Sequence, residues 1–170
     1  MAFAVTGRQF TGDASGGFLF PALYRAGFAS EPESISRDDS LTLSDLYTAP
    51  VCRCVPPDNK PTSQEMDNCR PYLEQELKLI RPKIVVALGQ IAFGAILGLF
   101  KPVSFVQDGT PVIFSHAAVY HLQTSAPNIS PSDFWLVCSY HPSRQNTQTG
   151  RLTLEMFDQL WKLVRELLER

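Results

Sequence analysis

No apolar run in the 170 residues approaches the roughly 20 that a membrane helix needs. Charge of either sign is in no large excess: 15 Lys and Arg stand against 17 Asp and Glu, a formal net charge of −2. Bulk charge therefore carries no nucleic-acid or membrane footprint, although a local basic groove is compatible with it. Cysteine is scarce, with 4 in all: Cys52, Cys54, Cys69 and Cys138. A chain of this size is no stapled mini-scaffold, and a reducing compartment keeps such thiols free. The N-terminus, MAFAVTGRQF, lacks the cationic segment and apolar core of a signal peptide, so the expected location is cytoplasmic. Hydrophobic residues at 44% and charged ones at 19% exclude a disordered chain and a coiled coil. There is no internal repeat, and the length fits a single domain over 1–170.

What is present is helix and strand patterning in alternation. Phe18, Leu19, Ala22, Leu23 and Ala26 recur at helical steps and predict a helix near 15–26, with Gly27 suited to its C′ position. Residues 30–44 are polar and acidic without a period, and read as a surface connection. LYTAPVCRCV (46–55) reads as a strand, with Pro50 placing it at an edge or bulge. Thr62 and Glu65 form a capping-box pattern that opens a helix near 63–80. Pro71 should kink that helix or start a second one. The run KIVVALG (83–89) leads into a helical pattern near 90–99, as a buried parallel strand leads into its crossover helix. Residues 112–122 alternate in places and suit a further strand, and WLVCSY places another near 134–140. Leu152, Met156, Leu160, Val164 and Leu167 line one face of a C-terminal helix near 152–168. This order implies an α/β fold, a sandwich around a mainly parallel sheet whose ligands bind beyond the carboxyl ends of strands.

Three loops carry candidate chemistry. TGRQFTGDASG (6–16) is a tight glycine-bearing loop feeding a helix. Its N–H groups suit an anion or a polar ring, or Asp13 simply caps the helix. PPDNKPT (56–62) is stiffened by proline and presents Asn59, whose amide both donates and accepts, as reading a nucleobase edge requires. The same residues also suit an ordinary turn. HPSRQNTQTGR (141–151) is rich in donors and has no acid. Ser143, Arg144, Thr147 and Arg151 suit phosphate oxygens there, and His141 could donate to a developing anion. Otherwise it is a solvated turn before the last helix. Cys54 and Cys69 have fourteen residues between them, which is no zinc-ribbon spacing, though such a pair could supply half of a four-thiolate iron–sulfur site. Cys138 reads as a small core residue.

In combination these segments resemble one family closely: the family 5 (type B) branch of the iron–sulfur uracil-DNA glycosylases. The resemblance rests on TGRQFTGDASG (6–16), CVPPDNKPT (54–62), CRPYLEQEL (69–77), IVVALG (84–89) and SYHPSRQNTQTGRLT (139–153), in matching order. It implies a DNA repair enzyme that flips uracil, and other deaminated bases, out of the helix and hydrolyses the N-glycosidic bond. On matching positions, Asp13 would orient water and offset the cationic sugar. Asn59 would contact the base, and His141 would stabilise the leaving anion. Phe10 would stack on the base and Gly12 would lie against it. Ser143, Arg144, Gln145, Asn146, Thr147, Gly150 and Arg151 would face the DNA.

The family also implies a three-layer α/β/α sandwich and a [4Fe–4S] cluster, with Cys54 and Cys69 as two of its ligands. The other two ligands, a central strand and a pocket wall come from an upstream segment without a counterpart in this sequence. The expectation is an N-terminally shortened member lacking the first central strand, its cluster incomplete or absent, acting as a monomer on uracil-containing DNA and not on membranes. Two alternatives stand beside it. One is a catalytically impaired DNA-binding remnant; the other is a small zinc-binding module using Cys52, Cys54 and Cys69.

Overall fold

Alternate side chains of one central strand divide the apolar residues between two cores. The computed structural model describes residues 7–54, 56, 60–100, 111–123 and 131–170. In chain order the elements are α1 (Gly16–Arg25), α2 (Ser63–Ile80), β1 (Ile84–Leu88), α3 (Gln90–Leu99), β2 (Val119–Gln123), β3 (Asp133–Ser139), α4 (Arg144–Gln148) and α5 (Leu154–Leu168). On β3, Val137 faces a core built with α1 and α5, which includes Leu19, Leu23, Phe157, Leu160 and Trp161. Phe134, Leu136 and Cys138 face the other core, with Leu73 and Leu77 of α2 and Phe93 and Ile96 of α3. The period-two alternation of a strand thus produces helices on both sheet faces, the three layers expected.

The α/β class stands. The described sheet has the order β1-β3-β2. β1 runs parallel to β3, with Ile84 opposite Trp135 and Leu88 opposite Ser139. β2 pairs antiparallel with β3, so the described strands form a mixed sheet and not a mainly parallel one.

One expected strand does not form. Residues 46–54 make no strand pairing among the described residues. Pro50 has no N–H to give a ladder, and the stretch is held by side chains instead. The Tyr47 hydroxyl donates to Glu76 Oε1 at 2.9 Å, and Arg53 pairs with the same carboxylate. Pro71 neither breaks α2 nor starts a new helix: the capping box forms at Thr62 and Glu65, and one helix runs from Ser63 to Ile80. The alternating stretch at 112–122 becomes a strand only from Val119.

β1 lies at an edge of the described sheet. Beside it a groove of about 850 Å³ opens between the cores, lined by Leu19, Leu77, Ile84, Val86 and Trp161 and reaching Phe10 and His141. Three buried polar atoms of its lining residues, Gln9 Oε1, Glu76 Oε2 and Trp161 Nε1, have no hydrogen-bond partner among the described residues. No described helix is long and apolar enough to cross a membrane.

Candidate active site

The parallel pairing of β1 and β3 brings their carboxyl ends together. The Gly89 N–H donates to the Ser139 carbonyl at 2.7 Å, which sets Gly89 beside the residues that follow β3. Gly89 has φ +96°, and a Cβ built on it would lie 3.1 Å from His141 Cβ. Glycine is needed here twice, for the backbone conformation and for the approach of the histidine. His141 is largely buried. Desolvation holds its imidazole below the ordinary value, with the Asp13 carboxylate pulling the other way. The Phe10 ring stands 6.2 Å from the His141 ring, tilted by 39°. Asp13, Phe10 and His141, each selected from sequence, therefore meet at one place.

Asp13 serves two purposes. Its Oδ1 accepts the Gly16 N–H at 2.8 Å, so the helix-capping reading holds. Its charge also acts on His141. The loop that carries it is strained and fixed: Phe10 has φ 57° and Gly12 has φ 70°. A left-handed non-glycine residue costs about 1–3 kcal/mol and needs surrounding structure to hold it. That structure is a polar network. Arg8 Nη2 donates to Ser34 Oγ at 2.7 Å and to Asp39 Oδ2 at 2.6 Å. Thr11 and Ser34 share a hydroxyl hydrogen bond of 2.6 Å, and Gly12 N–H donates to Ser34 O at 3.1 Å. The Arg8 guanidinium holds the Asp39 carboxyl well below the usual carboxylate range. Gly16 completes the fit, since a Cβ there would sit 1.6 Å from Phe10 O. Asn59 lies outside the described residues.

The segment after His141 folds into the short helix α4 rather than an open loop. Ser143 Oγ caps it by accepting the Asn146 N–H at 3.4 Å, and Asn146 Nδ2 donates to the His141 carbonyl at 2.9 Å. The Thr147 hydroxyl donates to Ser143 O at 3.2 Å. Ser143, Asn146 and Thr147 thus shape the turn. Arg144, Gln145, Gly150 and Arg151 are exposed, and φ 71° at Gly150 ends the turn. Sequence reasoning missed Gly89 as a site residue, along with His116 and Tyr140 beside it. A glycine between a buried strand and its helix was the available signal for the first.

This is the geometry of α/β proteins whose sites lie past the strand ends. More particularly, the chain belongs to the uracil DNA glycosylase superfamily, whose family model matches residues 2–165. It is 48% identical over 153 residues to the type-5 uracil-DNA glycosylase of Thermus thermophilus, covering 89% of this chain and 64% of that protein. To the type-5 enzyme of Pyrobaculum aerophilum it is 39% identical over 150 residues, 88% of this chain and 59% of that one. The type-4 uracil-DNA glycosylase of Archaeoglobus fulgidus matches over a shorter stretch, 104 residues at 41% identity, or 61% of this chain and 47% of that protein. The type-5 resemblance is thereby borne out. The chain spans about three fifths of the length of its type-5 relatives.

The [4Fe–4S] cluster that the resemblance implies needs four thiolates. Cys69 Sγ accepts the Arg53 N–H at 3.3 Å. Burial and the nearby Cys69 and Cys54 thiols push Cys52 above its ordinary value. Cys138 is fully buried in β3, where desolvation pushes its thiol up to about 11. Among the described residues no group of three or more Cys, His, Asp or Glu has the geometry to hold a metal ion. The described donor set does not fit a cubane cluster.

Proposed function

We propose that this chain excises uracil from DNA by hydrolysing the N-glycosidic bond, leaving an abasic site. The observation that carries the reading is the buried His141 with the Asp13 carboxylate acting on it and the Phe10 ring alongside. Departure of the base leaves negative charge on its carbonyl oxygens and positive charge on the sugar. A neutral imidazole in a desolvated site donates to the growing anion without carrying a competing charge, and it is worth most where water is excluded. Burial keeps His141 in that neutral form. The second carboxylate oxygen of Asp13 makes no hydrogen bond among the described residues. It is free to orient the attacking water and to offset the cationic sugar in the transition state.

Phe10 offers its face to the flipped base, Gly12 allows close backbone approach, and Asn59 reads the base edge. Arg144, Gln145, Gly150 and Arg151 face the DNA backbone, with Ser143, Asn146 and Thr147 holding their turn in shape. The 170 residues act as one unit, as a monomer, in the cytoplasm. Other deaminated bases fall within the same pocket logic. In a longer protein a complete cluster would take Cys54 and Cys69 as two of its ligands.

The groove beside β1 favours a second reading, because it reaches Phe10 and His141 and leaves the pocket open on that side. In it, the chain binds DNA without releasing base. One experiment separates the two. A labelled duplex with a single uracil is incubated with the protein and then treated with alkali. Strand cleavage above a protein-free control supports excision. Salt-sensitive retention of the duplex without cleavage supports the second reading.

A further inference from the structure

Tyr140, the residue before His141, is the centre of an aromatic and cationic cluster that the excision chemistry does not use. The His116 ring stacks on it with centroids 5.2 Å apart and planes 23° apart. Phe114 tilts against it at 6.1 Å. The Arg151 guanidinium carbon lies 4.6 Å from the Tyr140 ring centroid. His116 is itself fixed. Its Nδ1 accepts the Tyr140 N–H at 3.4 Å and lies 3.4 Å from Ser139 Oγ. Arg151 is exposed and has no ion pair among the described residues.

A guanidinium stacked on a ring uses its flat face and leaves its N–H edge free. The same side chain can then rest on Tyr140 and present parallel N–H donors to a phosphate. An unsupported arginine would lose its side-chain freedom on binding, whereas a stacked one has already lost much of it. We propose that Tyr140, braced by His116, is a positioning residue that holds Arg151 edge-out toward a DNA phosphate beside the strand end carrying His141. This rests on the reading of 143–151 as the DNA-facing segment.

The test is equilibrium binding to a fluorescent duplex containing a tetrahydrofuran abasic analogue, measured across a series of salt concentrations. Arg151→Gln should reduce the slope of log K against log salt by about 0.9, the loss of one phosphate contact. Tyr140→Leu should reduce it equally, Tyr140→Phe should restore the wild-type slope, and Tyr140→Leu/Arg151→Gln should lose no more than Arg151→Gln alone. Arg151→Lys keeps the charge, loses the flat stacking surface and leaves the core untouched. It tests the same stack even where Tyr140→Leu fails to fold, and should bind about twofold to fivefold more weakly. A wild-type slope in folded Tyr140→Leu, additive losses in the double variant, or wild-type affinity in Arg151→Lys would each overturn the proposal. An unchanged slope in Arg151→Gln would remove Arg151 from the DNA contacts, and the proposal with it, while uracil release by that variant would leave the excision reading standing.

Discussion

Gly89→Ala tests how the fold delivers the site. Gly89 has φ 96° and ψ 165°, caps α3, and meets His141 across 3.1 Å of would-be Cβ contact. Those angles lie in a region that is essentially glycine's alone, and forcing alanine into it costs about 1–3 kcal/mol. The thermal midpoint should fall by about 2–4 °C per kcal/mol. The new methyl also pushes on the His141 Cβ, which must yield by a few tenths of an ångström. A displacement of about 1 Å in a catalytic group can cost about 10²-fold, so a shift of this size should slow base release by about tenfold. Gly94→Ala is the control. A Cβ at Gly94 meets nothing within 4 Å, and alanine gains up to about 1 kcal/mol over glycine inside a helix. Urea unfolding and single-turnover uracil release are measured on both variants. A Gly89→Ala protein with wild-type stability and rate would refute the reasoning, because neither the backbone conformation nor the contact would then matter.

Asp13→Ala should lower base release by about 10²-fold while duplex binding changes little, because the carboxylate acts on the transition state. It should also lose about 1 kcal/mol of stability with the Gly16 N–H acceptor, and a retained single-turnover rate would leave Asp13 as a helix cap alone. Thr62→Ala removes one half of the capping box at α2 and should cost about 1 kcal/mol, read as a lower urea midpoint with the rate of uracil release unchanged. Burial holds both His116 and His141 below their ordinary value, so the folded chain binds fewer protons than the unfolded one below about pH 6.5. Their contribution to stability is full above that pH and is lost as the pH falls toward the depressed folded values. The urea midpoint should therefore be lower at about pH 5.5 than at about pH 7.5, and an equal or higher midpoint at the acid pH would contradict the burial of both rings.

The elements legible in the sequence were those whose burial pattern is local. Leu19, Leu23, Leu160 and Val164 show their helical faces without knowledge of partners, and the unbroken apolar run IVVAL reads as strand, although the buried strand expected is an edge strand of the described sheet in which only Ala87 is fully buried. The stretch 46–54 misled because its β-prone residues have no adjacent ladder; strand formation there depends on a partner the local pattern does not reveal. The site was legible as three motifs, but the meeting of two of them, the Asp13 loop and His141, was not. It depends on the β1–β3 register that sets Gly89 against His141, and on the network of Arg8, Ser34 and Asp39 that fixes the Asp13 loop. α4 was read as a loop because its five residues carry no apolar period; Ser143 and Asn146 hold it by polar bonds alone.

The most direct test of the account is free uracil released from a single-uracil duplex under excess protein, for the wild-type chain and for His141→Leu. The account predicts complete release by the wild type and a rate about 10²-fold lower or worse in the variant, with circular dichroism showing both folded. No uracil above the protein-free control from a folded wild-type chain, or release by His141→Leu at the wild-type rate, would contradict it.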